Sequence, residues 1–329
     1  MGRVENLNEP GRSFIFEEMA ISSFDKEFRH YEEGEKLLRI ARGDVAGISD
    51  VFCLLPVCIF TVCDKQAICR FLQGEHNRNH NLQIPGVCDS ISLEQDFLGT
   101  RLDMLYKTGF LMKLRYYAAP YHPCTLYSVP KDTVELVTKK LDMRIVPEKW
   151  NSEIALYRVM GRASAANVAS YISMHKNYKG LEKGVCNFSR SNVVMLPEFD
   201  FANSDGKRFI VGFYYGFLRH DERIHSKEAY ENSIIRRVNF LDEYVTYRNS
   251  KKESNVVMAM ENEADLKLLC RAMLASGFFD EEKLKKIYFT GEGIFMAAGE
   301  EGRKNLKNLF LRLNVDGSIE ENVTPEFLI

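Results

Sequence analysis

Arg101-Leu-Asp-Met-Leu-Tyr-Lys-Thr-Gly-Phe-Leu-Met-Lys-Leu-Arg115 is the stretch whose reading decides the fold. Its first half continues a helical period in which Leu98, Leu102 and Leu105 fall on one face. Gly109 stands where a helix C-terminus wants a left-handed residue. Immediately beyond it the period changes from 3.6 to 2. Met112, Leu114 and Tyr116 then alternate with Lys113, Arg115 and Tyr117, the pattern of a strand with one polar face.

Upstream, Asp50 to Phe60 reads as an apolar helix. Thr61 is the expected N-cap of a second helix, with Asp64 at the capping-box position, Ile68, Phe71 and Leu72 on one face, and Gly74 as its end. Glu75 to Pro85 is a polar loop, and Ser92 caps the third helix with Gln95 completing a capping box. Downstream, Ala118 to Pro123 is a turn, Thr125 to Val129 a second strand stopped by Pro130, and Lys131 to Leu141 a helix with Val134, Val137 and Leu141 as its stripe. Three helices followed by a two-stranded hairpin is the order of a winged helix, here over residues 46–145. In that fold the third helix buries its leucines and offers its other face to the major groove, while the hairpin's cations reach phosphates. The candidate contacts are Gln95 and Thr100 to bases, and Lys107, Lys113, Arg115 and His122 to phosphates. Asp96 and Asp103 share the third helix's solvent face and repel phosphate, so a protein-interaction module is the competing reading. Tyr116, Tyr117, Tyr121 and Tyr127 could stack on unpaired bases, but such residues more often fill the gap between hairpin and helices.

Residues 1–45 form an acid-rich arm in which Ser23 to Glu27 opens a polar helical stretch reaching about Arg42. Residues 146–190 are a connector. Its helical part, from about Asn151 to Lys176, is rich in small residues (Gly161, Ala163, Ala165, Ala166, Ala169), which suits a close helix–helix contact and leaves a homodimer open. From 191 to 329 strands and helices alternate. The strands are Asn192 to Leu196, Arg208 to Phe217, Asn255 to Met260 and Lys286 to Thr290; the helices are Ser226 to Arg248 and Glu263 to Ser276. That is an α/β domain with a mixed sheet, and the chain as a whole is α+β.

Composition sets the outer limits. The 329 residues are 45% hydrophobic and 27% charged, an ordinary globular mix with room for two domains. Lys+Arg is 44 against Asp+Glu 46, a net charge of −2, so bulk charge does not coat nucleic acid or an anionic membrane, although a local basic patch can. The eight cysteines contain no C-x-x-C pair; Cys63 and Cys69 are expected to pack as small apolar residues in a reducing compartment. Met1 to Phe16 lacks the apolar core of a signal peptide, and Val51 to Cys63 is interrupted by Pro56 and too short to span a bilayer. A cytoplasmic protein without a membrane partner is expected.

The arrangement resembles the replication-relaxation family, accessory proteins of plasmids and conjugative elements. Three places carry the resemblance: the phrase Arg101 to Arg115; Leu196-Pro197-Glu198-Phe199 with the following turn and the strand Arg208 to Phe217; and Asn255-Val-Val-Met-Ala-Met-Glu-Asn-Glu-Ala-Asp-Leu266 with the strand Ile287 to Thr290. The resemblance implies an N-terminal winged helix followed by an α/β domain related to the restriction-endonuclease-like core. A nuclease of that kind needs an acid, then Glu-x-Lys on the next strand, to hold Mg²⁺ and activate water. Glu198 and Asp200 could stand for the first acid, but Phe209-Ile-Val-Gly-Phe-Tyr-Tyr-Gly-Phe217 carries neither acid nor lysine, so the core is degenerate. Arg219 to His225, with two histidines and two acids, has a spacing that suits no common metal site, and Gly291-Glu-Gly293 lacks the third glycine and the lysine of a phosphate loop. Arg236-Arg237 and Arg248 to Lys252 form a second basic patch, read as solvated. The expectation is therefore a non-catalytic DNA-binding accessory or regulatory protein of a mobile element, binding double-stranded DNA, with no catalytic residues, cofactor or metal. The alternatives are a winged-helix inhibitor or antitoxin-like factor with a protein partner, and, less favoured, a metal-dependent nuclease.

Overall fold

A computed structural model describes residues 20–27, 48–78, 95–119, 122–142, 156–181, 186–188, 194–215, 227–248, 253–260 and 263–329. They are mixed α and β and separate into two compact units, one drawn from Glu18–Glu153 and one from Ile154–Ile329. Among the described residues no helix is long and apolar enough to cross a membrane.

The first unit contains strand β1 (Ala20–Glu27), helix α1 (Ile48–Phe60), strand β2 (Val62–Asp64) and helices α2 (Lys65–Arg78) and α3 (Gln95–Lys107). Strands β3 (Met112–Ala119) and β4 (His122–Ser128) and helix α4 (Lys131–Leu141) complete it. Its four-stranded antiparallel sheet has the order β1-β3-β4-β2. Helix α1 is buried almost throughout, and Pro56 inside it removes one backbone donor. Thr61 does not cap α2: it takes a left-handed φ of 68°, and three residues of strand intervene. The cap is Asp64, whose Oδ1 accepts from the Ala67 N–H at 2.6 Å. Helix α2 also runs through Gly74, which is buried inside it, rather than ending there. Burial against neighbours outweighs the intrinsic helix penalty of a glycine.

Helix α3 buries Leu98, Leu102 and Leu105, as its period requires. It ends at Gly109, with φ 80°. The Gly109 N–H donates to the Tyr106 carbonyl at 3.0 Å and the Phe110 N–H to the Leu105 carbonyl at 2.9 Å. These are the two bonds of a Schellman ending, and Phe110 and Leu111 go straight into the core behind it. The hairpin is longer than the sequence suggests, because Ala118, Ala119, His122 and Pro123 all lie in the strands. The segment Ser23 to Glu27 is strand, not the start of a helix. It pairs along the free edge of β3, so a non-local partner overrides a polar sequence that has helical spacing. Residues 28–42 and Ser92 lie outside the described residues.

One ion pair ties the unit together. Asp50, in the first turn of α1, is fully buried, and Arg101 of α3 donates Nε and Nη2 to its two carboxylate oxygens. The bidentate geometry offsets the desolvation of the carboxylate. Around it Cys53, Cys58 and Cys63 are buried free thiols. Burial, with the Asp50 charge adding to it, pushes Cys53 up to about 12; burial also raises Cys58 and Cys63.

The second unit holds α5 (Leu156–Ser173), β5 (Tyr178–Leu181), the small hairpin β6 (Cys186–Phe188) and β7 (Val194–Leu196), β8 (Glu198–Ala202), β9 (Arg208–Tyr215), α6 (Lys227–Arg248) and β10 (Glu253–Ala259). It continues through α7 (Glu263–Ser276), α8 (Glu281–Leu284), β11 (Ile287–Thr290), α9 (Glu292–Ala297), α10 (Gly299–Asn305), β12 (Phe310–Leu313), β13 (Ile319–Val323) and a final 3-10 turn, Glu326–Leu328. The sheet order is β13-β12-β11-β10-β9-β8-β5. The central strands β9, β10 and β11 are parallel, and both flanks are antiparallel, so the sheet is mixed. On one face Val256, Met258, Ile287 and Phe289 pack with Leu241, Tyr244 and Val245 of α6 and Leu266, Leu269 and Met273 of α7. The other face carries an aromatic seam. Tyr178 meets Phe199 and Phe201, and Phe327 packs on Phe201 and Tyr288. The alanines of α5 (Ala163, Ala165, Ala166, Ala169) are buried.

Two predictions follow from these contacts. Arg101→Ala leaves the Asp50 carboxylate buried without its main partner and should lower unfolding stability by about 3–5 kcal/mol. The double variant Asp50→Leu/Arg101→Leu should recover much of that loss in urea unfolding. At the end of α5 burial, with Lys176 beside it, lowers His175 from 6.5 to about 4. Its Nδ1 accepts the Asn177 N–H at 3.3 Å, which requires the neutral ring. Between those two values the unfolded chain binds a proton that the folded chain refuses, so stability should be full above pH 6.5 and fall as pH drops toward about 4. His175→Gln should lose less stability than the parent between pH 7 and pH 5 in parallel denaturant titrations; equal losses would remove His175 as the cause.

Candidate nucleic-acid interface

The outer face of α3 and the adjoining hairpin hold the residues expected to touch DNA. Gln95 is the first residue of α3. Thr100 and Lys107 are exposed, and they stand on the helix side opposite the buried leucines, with Asp103 between them. A spacing of three and then four residues puts Thr100, Asp103 and Lys107 in one row. Arg115 lies on β3 opposite Thr125 of β4, and His122 opens β4 opposite Ala118.

Lys113 is the residue whose surroundings the sequence leaves least visible. Its ammonium donates to the Asp103 carboxylate and sits 4.7 Å from the centre of the Tyr106 ring. The lysine side chain is only 12% exposed, whereas the aspartate is half exposed. The Schellman ending at Gly109 makes this possible, because it folds the first strand residues back beside the last turn of α3. Lys113 is therefore spoken for within its own unit, and its charge is matched locally. Strand β1 adds to this along the backbone register, with Asp25 opposite Arg115 and Glu27 opposite Lys113. Tyr127 is buried rather than offered for stacking, and burial followed by the Asp103 charge pushes its hydroxyl up to about 12.

In the second unit Glu198 and Asp200 lie two residues apart on β8 and so share a face, opposite Gly212 and Ile210 of β9. Both are engaged. Asp200 binds the Arg208 guanidinium, with Nε at 3.4 Å and Nη2 closer. Glu198 is 2% exposed and accepts the Tyr244 hydroxyl at 2.8 Å. Burial, and after it the Glu198 charge, raises the Tyr244 phenol well above its usual range, so it stays a donor. Among the described residues no group of three or more His, Cys, Asp or Glu side chains is placed to hold a metal ion. The segment Arg219 to His225 and residues 249–252 lie outside the described residues. Gly291 opens the six-residue helix α9, and Glu292 accepts from Asn167 Nδ2 at 3.0 Å.

A groove of about 680 Å³ runs between α7 and the β12–β13 hairpin, with Leu266, Cys270, Leu274, Leu311 and Ile319 on its walls. Sequence reading missed it because β12 and β13 are short and follow two short helices, so the hairpin that forms one wall was not anticipated.

No protein-family model, curated protein or solved structure matches this chain.

Tyr244→Phe leaves Glu198 buried without the phenol that solvates it. The variant should be less stable by about 1.5–3 kcal/mol, the range for a hydrogen bond to a charged group. A urea midpoint equal to that of the parent would show that the pair contributes nothing.

Proposed function

We propose that residues 46–145 are a winged helix that docks on double-stranded DNA, and that the chain is a non-catalytic accessory or regulatory protein of a mobile genetic element. One observation carries the DNA reading. Helix α3 leads through Gly109 directly into the β3–β4 hairpin, and the short β2, between α1 and α2, pairs with β4. This order of helix, short strand, two helices and hairpin supports a winged helix with α3 as the helix that enters the major groove. Thr100 and Lys107 on its exposed row are suited to base and phosphate contact. In the second unit α5, the antiparallel strands β5, β8 and β9, then α6 and the parallel β10, support a restriction-endonuclease-like core. Its acids serve as structural partners of Tyr244 and Arg208. The link to mobile elements rests on the resemblance to the replication-relaxation family.

A second reading, a protein-interaction factor, is favoured by the ion pair between Lys113 and Asp103. A hairpin whose lysine is already matched holds less charge for phosphate.

Fluorescence anisotropy of labelled duplex DNA at several salt concentrations tests both. Lys107→Ala with Arg115→Ala should weaken binding about equally on all sequences and reduce the salt slope by about 1 for each contact removed. Asp103→Asn, which releases Lys113, should tighten binding and steepen the slope. Absence of binding at about 10 micromolar protein and low salt, where even non-specific binders associate, would overturn the DNA reading and leave the protein-partner one.

A further inference from the structure

Helices α9 and α10 form a tight pair on the surface of the second unit. Gly299 turns the chain between them with φ 66°. One turn later Gly302 lies so close to Ala298 that a Cβ would meet the alanine's Cβ at 2.9 Å. The missing side chain lets α10 close on α9 and brings Arg303 beside Met296. There the Arg303 guanidinium lies over the Tyr171 ring of α5, 5.8 Å from its centre, and Tyr171 stacks on Phe295 at 5.5 Å.

Met296 sits in the middle of this arrangement. It is 37% exposed, whereas Met258, Met260 and Met273 are fully buried. Its Sδ faces two donors from two different helices, the Tyr171 hydroxyl at 3.8 Å and Arg303 Nη1 at 3.9 Å. A thioether is a weak acceptor, so these contacts add little as they stand. They exceed the separation of about 2.7–3.0 Å that either donor would keep from an oxygen. The excess is room for one oxygen atom on the sulfur, with both donors already aimed at it.

We propose that Met296 is a methionine oxidation site whose sulfoxide is captured by Tyr171 and Arg303. The oxidant is a hydroperoxide from outside the protein. The sulfur lone pair forms the S–O bond as the O–O bond breaks; sulfur gives up two electrons, and the second peroxide oxygen leaves as water with both peroxide protons. Methionine oxidation in a packed interior disrupts it, because a polar group replaces an apolar one. Here the sign reverses: the new oxygen is a strong acceptor placed between a hydroxyl and a guanidinium, so α5, α9 and α10 are held more firmly after oxidation.

The test treats the full chain with graded hydrogen peroxide. Peptide mass mapping follows the gain of one oxygen at each methionine, and amide hydrogen exchange follows residues 292–305. Met296 should be oxidised ahead of Met258, Met260 and Met273. Exchange in 292–305 should then slow by about five-fold, the factor that one net hydrogen bond gives. Tyr171→Phe keeps the ring on Phe295 and removes one donor, so the slowing should shrink or vanish while Met296 is still oxidised. Met296→Leu should show no peroxide-dependent change in that segment. The proposal is overturned if Met296 reacts no faster than the buried methionines, if exchange is unchanged or faster after its oxidation, or if the slowing persists in Met296→Leu.

Discussion

The first unit depends on the pairing of Asp50 with Arg101. A carboxylate with no exposed surface is tolerable only when a partner satisfies it, and the guanidinium does so with two parallel bonds. The pair joins the start of α1 to the middle of α3 and thereby fixes the rotation of α3 about its axis. That rotation puts Leu98, Leu102 and Leu105 inward and leaves Thr100, Asp103 and Lys107 on the outer row. A hydrophobic stripe alone would hold α3 against its neighbours but would tolerate slippage along the contact. The buried ion pair does not, because a shift of one residue would strand a charge.

The outer row and the hairpin then share one electrostatic problem. Lys113 leaves the strand close to Asp103 and is held by it, with the Tyr106 ring alongside. The hairpin is rigid at its root for that reason, and it presents less net positive charge than its composition suggests. The second unit treats its acids in the same way. Glu198 is committed to Tyr244 and Asp200 to Arg208, so polar groups inside the sheet serve its packing. In both units the charged residues that look most available in a linear reading are those already used by the fold.

This accounts for what the sequence revealed and what it concealed. Local periodicity was sufficient for α3, the Gly109 ending, β3, α4, α7 and the strands β10 and β11, because each is decided by residues a few positions apart. The parallel centre of the sheet and its antiparallel flanks were legible as a mixed sheet for the same reason. What was hidden is non-local. Asp50 and Arg101 are joined only by the folding of three helices, and nothing in either neighbourhood announces the partner. Strand β1 owes its state to the edge of β3, so its own polar residues misled toward helix. Glu198 read as a possible metal ligand because the tyrosine that satisfies it lies on a helix far along the chain. Gly74 read as a helix end because a glycine's intrinsic preference is visible and its burial is not.

The arrangement of the seven-stranded sheet has a kinetic consequence. Its flanks are hairpins: β8 meets β9 across a tight turn at Asn203 to Gly206, and β12 meets β13 across Asn314 to Ser318. Its centre is not, since β9 reaches β10 only after the whole of α6, and β10 reaches β11 only after α7. Closing such long loops costs chain entropy before any ladder bond returns it, so the parallel pairs set a high contact order. The two hairpins can zip early as separate pieces, while the apolar strand Val256 to Met260 waits for both neighbours. The slow step in the folding of this unit is thus the insertion of its most hydrophobic strand between two preformed edges, and until that happens the strand is the segment most exposed to pairing with another chain.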